Sequence, residues 1–117
     1  MRRELLLLEE IITAANRATQ IAARHTVESL AVNLDARDAL LWNLTVVGEA
    51  VGQLSDELRA EHPQVPWNQP IRLRNRIVHG YWSVDLDVIY AVAIDDLPMF
   101  VDGVRSILDS LSMHGSA

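Results

Sequence analysis

The chain has 117 residues, half of them apolar, which suffices for one small domain with a substantial core and leaves no room for a second domain. We therefore expect residues 1–117 to fold as a single unit. The net charge of −6 argues against a broad basic surface that binds nucleic acid, so any such contact must be local. The lack of cysteine excludes disulfides, zinc–thiolate sites and thiol catalysis.

The N-terminal segment, MRRELLLLEE, has the two arginines and four leucines of a secretory signal, but glutamates interrupt its apolar run. No stretch reaches the roughly 18 apolar residues of a membrane span. We expect a cytoplasmic protein with no membrane association.

Apolar residues from Glu4 to about Arg24 recur at helical spacing and form two adjacent stripes. A band this wide predicts either a central helix or a helix that also meets a second subunit. We favour self-association, and therefore a homodimer, because an arginine described below also projects from an apolar stripe. The stripes consist of Leu5, Leu8, Ile12, Ala15 and Ala22, and of Leu7, Ile11, Ala14, Ala18 and Ile21.

The second long helix is expected to begin at Asp35, whose carboxylate can accept from the first-turn amides, with Asp38 adding a favourable charge. Before it, Thr26 or Ser29 can cap a short turn. Glu49 lies on a separate face of this helix and is either a solvated carboxylate or a group that pairs with an arginine, or orients a histidine, of the next helix. The core stripe follows alternating steps of four and three through Leu40, Leu44, Val47, Val51, Leu54 and Leu58.

Prolines 63 and 66 end this helix, because each disfavours helical geometry in the residue before it. The next helix is predicted over Gln69–His79, with Asn68 as its N-cap, proline 70 in its first turn and Gly80 as a left-handed C-terminal cap. Trp67 and Trp82 are interpreted as packing residues at its two ends.

The last helical region begins after caps offered by Ser83–Asp85. Pro98 should kink or split it near residues 95–97, and its apolar stripe continues to Ser112. We expect residues 113–117 to form a frayed tail and His114 to have no role. The predicted fold is an all-α antiparallel bundle of four to five helices.

The segment RLRNRIVHGYW, residues 72–82, concentrates the residue types that handle phosphate. Arg74 projects from an apolar stripe, whereas Arg72 and Arg76 fall on the wetter flank. An arginine there is either packed and paired with a carboxylate or directed at an anion on another surface. His79 is either a helix cap or a proton carrier near neutral pH.

The pattern Arg74-Asn75-x-x-x-His79-x-Tyr81 reads as R-x4-H-x-Y, which resembles the signature of HEPN domains and of the HepT-like toxins of toxin–antitoxin pairs. Further landmarks of that family occur in the same order over roughly residues 35–100. They are Val47-Gly48-Glu49-Ala50, Leu54-Ser55, Val65-Pro66-Trp67, Gly80 and Asp96-Leu97-Pro98.

The resemblance implies a HEPN-like fold and a ribonuclease whose two motifs meet across a homodimer. RNA carries its own nucleophile, the 2′-hydroxyl, so a site needs only a proton carrier and a cation for the charge that grows on phosphorus. His79 suits the first role and Arg74 the second, while Asn75 and Tyr81 would contact the imidazole or the substrate. We place Arg72, Arg76 and Glu49 as binding or supporting residues. Neither a metal nor a cofactor is expected, because metal-binding and phosphate-loop motifs are absent from the sequence.

One geometric difficulty is that Arg74 and His79 diverge by about 140° on an ideal helix. Either the last turn tightens at Gly80, or a second subunit supplies the partner group.

The resemblance also implies a partner, an MNT-type nucleotidyltransferase antitoxin that transfers AMP to Tyr81. Phosphates attached beside His79 would fill the cleft and repel RNA. Two alternatives stay open: a non-catalytic nucleotide-binding or partner-docking module, and a structural dimerisation domain in which Arg74 pairs with Glu49.

Overall fold

The computed structural model describes residues 2–115, with side chains described through residue 113. This part of the chain contains helices and no strands, which confirms the predicted all-α class. It has more helical segments than the four or five predicted, because short helices join the longer ones. In order they are α1 (Arg2–Ala23), α2 (Val27–Val32), α3 (Leu34–Gln53), α4 (Asp56–Glu61), α5 (Asn68–His79), a 3₁₀ turn (Tyr81–Ser83), α6 (Leu86–Ala91), a π-helical turn (Val92–Asp96) and α7 (Leu97–Gly115).

Helix α1 is the central element of the bundle and packs against both α3 and α7. The guanidinium of Arg3 at its start donates to the side chain of Gln53 at the end of α3, and Thr19 near its end donates to Ala93 ahead of α7. Both neighbours therefore run antiparallel to α1. Eight of the ten residues in its two apolar stripes are buried within the single chain: Leu7, Leu8, Ile11, Ile12, Ala14, Ala15, Ala18 and Ala22. The width of the band thus reflects a central helix and does not require a second subunit.

Helix α3 differs from its prediction at both ends. Its N-cap is Asn33, whose side chain accepts from Ala36 N, and not Asp35. The helix ends at Gln53, because Ser55 starts α4 by accepting from Leu58 N, and the Glu4 carboxylate accepts from the backbone and hydroxyl of Ser55. The predicted core stripe is nevertheless buried along its whole length, through Leu40, Leu44, Val47, Val51, Leu54 and Leu58.

Helix α5 begins and ends within one residue of its prediction, but its caps differ. The N-cap position is Trp67 rather than Asn68, and Trp67 makes no side-chain cap bond. Its indole instead lies buried and donates to the carbonyls of Arg59 and His62, which confirms its packing role. Gly80 ends the helix with φ −144°, so the predicted left-handed cap is wrong.

The last helical region runs from Leu86 to Gly115 with a π-helical turn where Pro98 was expected to disturb it. Leu97 N donates to Val92 O, and Pro98 has no N–H, so neither residue donates a hydrogen bond to the carbonyl oxygen of Ala93. Thr19 Oγ1 donates to that oxygen at 2.9 Å, which locks α1 to the turn.

Helix α6 starts at the predicted caps, because Asp85 accepts from two first-turn amides. Helix α7 extends to Gly115, past the Ser112 boundary expected from the apolar stripe. Of the predicted tail, residues 116 and 117 and the side chain of His114 lie outside the described part. No helix within residues 2–115 has both the length and the apolar character needed to cross a membrane.

Candidate functional site

Helix α5 packs tightly against α3 at Gly48. A Cβ added there would collide with Arg74 Cβ and would stand 2.5 Å from the carbonyl oxygen of Pro70. Only a glycine permits this approach, because the obstacles include backbone atoms of α5. The contact fixes where Arg74 leaves its helix.

Arg74 is held by its nearest polar neighbours on both helices. Its Nη2 lies 3.2 Å from Glu49 Oε2, and its Nη1 donates to Asn75 Oδ1 at 3.1 Å. Its Nε is buried without a hydrogen-bond partner. The side chain is still 32% exposed and that of Glu49 is 54% exposed, so the pair lies at the surface. The structure thus contains the ion pair that the sequence left open, and it directs Asn75 towards the arginine.

His79 is the last residue of α5, and its side chain is exposed. It lines a groove of about 420 Å³ together with Arg76, Gly80 and residues 83–85 that lead into α6. Arg74 is not among the residues that line this groove. Within one chain, His79 is therefore grouped with Arg76, and Arg74 is grouped with Glu49 and Asn75.

Arg72 lies on a third surface. It lines a shallow polar groove with Arg59, Trp67 and Asn68 at the opposite end of α5 from His79. The three arginines of the motif helix consequently face three different surroundings.

Tyr81 lies two residues after the end of α5 and is held by side chains near the start of α3. Its hydroxyl donates to the carboxylate of Asp38 in an exposed position. Arg37, which is only 8% exposed, donates from Nη2 to the backbone oxygen of Tyr81 at 3.0 Å, and its guanidinium lies 5.4 Å from the ring centroid. Burial and the hydrogen bond to Asp38, together with its negative charge, raise the pKa of Tyr81 above its ordinary value, while Arg37 opposes this change.

Sequence reasoning missed Arg37 altogether and treated Asp38 only as a helix-dipole charge. One signal could have found them: antiparallel neighbouring helices bring the start of α3 opposite the end of α5. A buried arginine also needs a partner, which in this chain is the backbone after the motif.

Trp82 does not pack as predicted, because its side chain is 82% exposed. Its ring stands edge-on to Tyr81 with centroids 5.2 Å apart, and the Arg37 guanidinium lies 5.7 Å from its centroid. Trp82 therefore continues the Tyr81 cluster outward into solvent.

Across the described residues, no group of three or more histidine, aspartate and glutamate side chains is arranged to hold a metal ion. Positive charge is instead concentrated on α5, where Arg72, Arg74 and Arg76 precede His79 in a chain of net charge −6. Such a helix can bind a phosphate group locally, through charge-assisted hydrogen bonds from its guanidinium groups.

Comparison with known proteins places this arrangement in a family. The family model described as "Ribonuclease HepT-like" matches residues 11–107. A protein of Methanocaldococcus jannaschii named "Putative RNase MJ0127" is 30% identical over 73 residues, 62% of this chain and 60% of that protein. A protein of Thermococcus cleftensis named "Probable ribonuclease HepT" is 25% identical over 91 residues, 78% of this chain and 83% of that protein.

A third relative, "Putative RNase TTE0752" of Caldanaerobacter subterraneus, is 31% identical over 70 residues, 60% of this chain and 62% of that protein. The chain thus spans less than two thirds of the length of the first and third relatives. No solved structure matches it significantly. Because the family model covers most of the chain and includes the whole of α5 with its R-x4-H-x-Y motif, this protein belongs to the HepT-like ribonuclease family.

Proposed function

We propose that this protein is the toxin of a toxin–antitoxin pair and acts as a metal-independent endoribonuclease. The observation that carries the proposal is the exposed imidazole of His79, which stands beside Arg76 in an open groove at the end of the motif helix. An exposed histidine with a cationic neighbour suits proton transfer at a phosphodiester, and the family match supports RNA as the substrate.

In the proposed reaction, the 2′-hydroxyl of RNA loses its proton to a base and attacks the adjacent phosphorus. The bond from phosphorus to the 5′-oxygen breaks, and that oxygen leaves with the electron pair and takes up a proton. His79 would carry protons in this exchange, and an arginine would stabilise the charge on the phosphoryl oxygens. The products are a 2′,3′-cyclic phosphate, or the 3′-phosphate formed from it, and a 5′-hydroxyl. DNA has no 2′-hydroxyl and would resist cleavage.

A homodimer would resolve the separation of Arg74 from His79 within one chain. The surface of α5 near Arg74 also exposes an apolar side chain, that of Val78, which is 47% accessible. Val78 lies one turn beyond Arg74 on α5, so burying it against a second copy would bring the partner's surface to the arginine. The buried, unpaired Nε of Arg74 further indicates a guanidinium whose hydrogen bonds are incomplete in one chain.

We further propose that an MNT-type nucleotidyltransferase neutralises the toxin by transferring AMP to Tyr81. The Tyr81 hydroxyl lies in an exposed position two residues after His79. A nucleotide attached there would add negative charge beside the groove that binds RNA.

The test compares RNA integrity and growth in cells that express the wild type or His79→Ala. His62→Ala is the matched control, because it removes a histidine that lies away from the motif helix, at the end of α4. We expect cleavage and growth arrest with the wild type and the control, and neither with His79→Ala, while light scattering shows the same oligomer for all three. Purified wild type should also cleave RNA in the presence of EDTA. Cleavage by His79→Ala, or cleavage that requires added Mg²⁺, refutes the assigned chemistry.

A second candidate function is a structural dimerisation domain. The ion pair between Arg74 and Glu49 favours it, because an arginine that already has a carboxylate partner can serve structure alone. In that case light scattering would show a dimer, and no variant at Arg74 or His79 would change RNA integrity. Loss of RNA cleavage in Arg74→Ala, with the dimer intact, excludes this candidate.

A further inference from the structure

We propose that Asp38 is the general base for modification of Tyr81, so that the acceptor protein itself supplies the group that takes the proton. This inference rests on the proposed transfer of AMP to Tyr81. It adds a residue that lies 43 positions away in sequence and belongs to another helix.

The geometry assigns distinct tasks to three residues. The hydroxyl of Tyr81 already donates its hydrogen to Asp38, so the carboxylate is aligned with the proton that must leave. Arg37 donates to the backbone oxygen of Tyr81 at 3.0 Å and lies 5.4 Å from the ring centroid. Because Arg37 is 8% exposed and packs beneath the ring, it acts as an anchor rather than as a ligand for phosphate. The phenol is therefore fixed in direction while its oxygen stays at the surface.

The transfer step balances with Asp38 as the proton acceptor. Tyr81 Oη forms a bond to the α-phosphorus of ATP, and the phenolic proton moves to the Asp38 carboxylate. The bond between the α-phosphorus and the bridging oxygen of pyrophosphate breaks, and pyrophosphate leaves with the electron pair. ATP is the co-reactant and no electron transfer is involved.

A base is needed at this position because the phenol does not ionise unaided near neutral pH. Its ordinary pKa is 10.0, and burial and Asp38 raise the pKa further. An aspartate that accepts the proton of an attacking hydroxyl is a recognised arrangement in phosphoryl transfer. In the opposite interpretation, the hydrogen bond to Asp38 only keeps the Tyr81 hydroxyl from attacking ATP. That interpretation predicts that removing the carboxylate accelerates the transfer.

The experiment uses the full chain, an MNT-type nucleotidyltransferase of a HepT-like pair at saturating concentration, Mg²⁺ and ATP labelled at the α-phosphate. Label incorporation is timed, and peptide mass spectrometry locates it. Asp38→Asn removes the base but keeps an oxygen that accepts the hydrogen bond, while Asp38→Glu keeps a carboxylate. Asp35→Asn is the matched control, because it removes one exposed carboxylate from the same end of α3, three residues before Asp38. Tyr81→Phe removes the acceptor.

We expect Asp38→Asn to be slower by about 100-fold, in the range of general-base contributions, and Asp35→Asn to match the wild type. Asp38→Glu should recover part of the rate. The rate of Asp38→Asn relative to the wild type should also rise with pH between about 6 and 9, because hydroxide replaces the missing base. A purely structural role for Asp38 would give a ratio that does not change with pH.

The outcomes separate this inference from the proposed function. If the wild type is labelled at Tyr81 and Asp38→Asn is labelled as fast or faster, the inference is overturned and the proposed modification stands. If the wild type gains no label at Tyr81, the modification is overturned and the inference with it. Circular dichroism of each variant confirms that a slow rate is not a loss of fold.

Discussion

Replacing Gly48 with alanine should force α5 away from α3. The added Cβ would meet Pro70 O at 2.5 Å and Arg74 Cγ at 3.1 Å, whereas ordinary contacts begin at 3.4 Å. Moving a backbone oxygen to an ordinary distance requires a shift of α5 by about 1 Å, and overpacking of this kind costs roughly 1–3 kcal/mol. The shift would also separate Arg74 from Glu49.

Gly52→Ala is the matched control, because the same substitution on the same helix meets nothing within 4 Å. Alanine gives the unfolded chain less conformational freedom than glycine does, so this variant should be more stable than the wild type by about 0.5 kcal/mol. We expect urea unfolding, followed by circular dichroism, to give the two variants free energies of unfolding that differ by about 2 kcal/mol. The melting temperatures should differ by roughly 8 °C. A Gly48→Ala protein as stable as Gly52→Ala would refute the close-packing argument.

Three further predictions concern single side chains. The 295 nm absorbance of a Tyr90→Phe protein should show Tyr81 ionising above pH 10.0, and Asp38→Asn should lower that midpoint, because the carboxylate favours the neutral phenol. The raised pKa of Tyr81 stabilises the fold only while the phenol is protonated, so the free energy of unfolding should fall as pH rises above 10.0. An unchanged ionisation midpoint of Tyr81 in Asp38→Asn would contradict the contact. Glu49→Gln should change the free energy of unfolding in urea by less than about 1 kcal/mol, because its ion pair is exposed, and a larger loss would contradict that reading. Leu41→Ala, at a fully buried position, should cost about 3 kcal/mol in the same assay, and a loss below about 1 kcal/mol would contradict its core placement.

Periodicity predicted the core well, because burial in a helical bundle follows the repeat of the helix. The stripe on α3 and α4 is buried at all six predicted positions, although the helix is interrupted between Leu54 and Leu58. The break at Ser55 was not predicted, since the apolar spacing keeps its phase across the turn. The contact that marks the break joins residues distant in sequence: the carboxylate of Glu4 accepts a hydrogen bond from Ser55, which lies 51 residues later in the chain.

The candidate site was predicted only in part, because a sequence pattern shows residues that are close together in the chain and not contacts between distant ones. The motif residues stand together in the sequence, so Arg74 and His79 could be chosen from their chemistry. The partners of Tyr81 could not be chosen in this way, because Arg37 and Asp38 lie more than 40 positions before it and have no pattern of their own. Trp82 was assigned to packing because tryptophan is usually buried in part, yet the Arg37 guanidinium and the edge of Tyr81 support it at the surface.

The motif depends on α3 at two separate points. Gly48 and Glu49 set the position of Arg74, and Arg37 secures Tyr81 by its backbone oxygen. Residues 37 and 48 are about 16 Å apart along a straight helix, so α3 fixes the separation between the two ends of the motif. A substitution that bends α3 between these points would therefore change the distance from the arginine to the tyrosine without touching either. Variants in the middle of α3 consequently need a structural check before any loss of activity is assigned to chemistry.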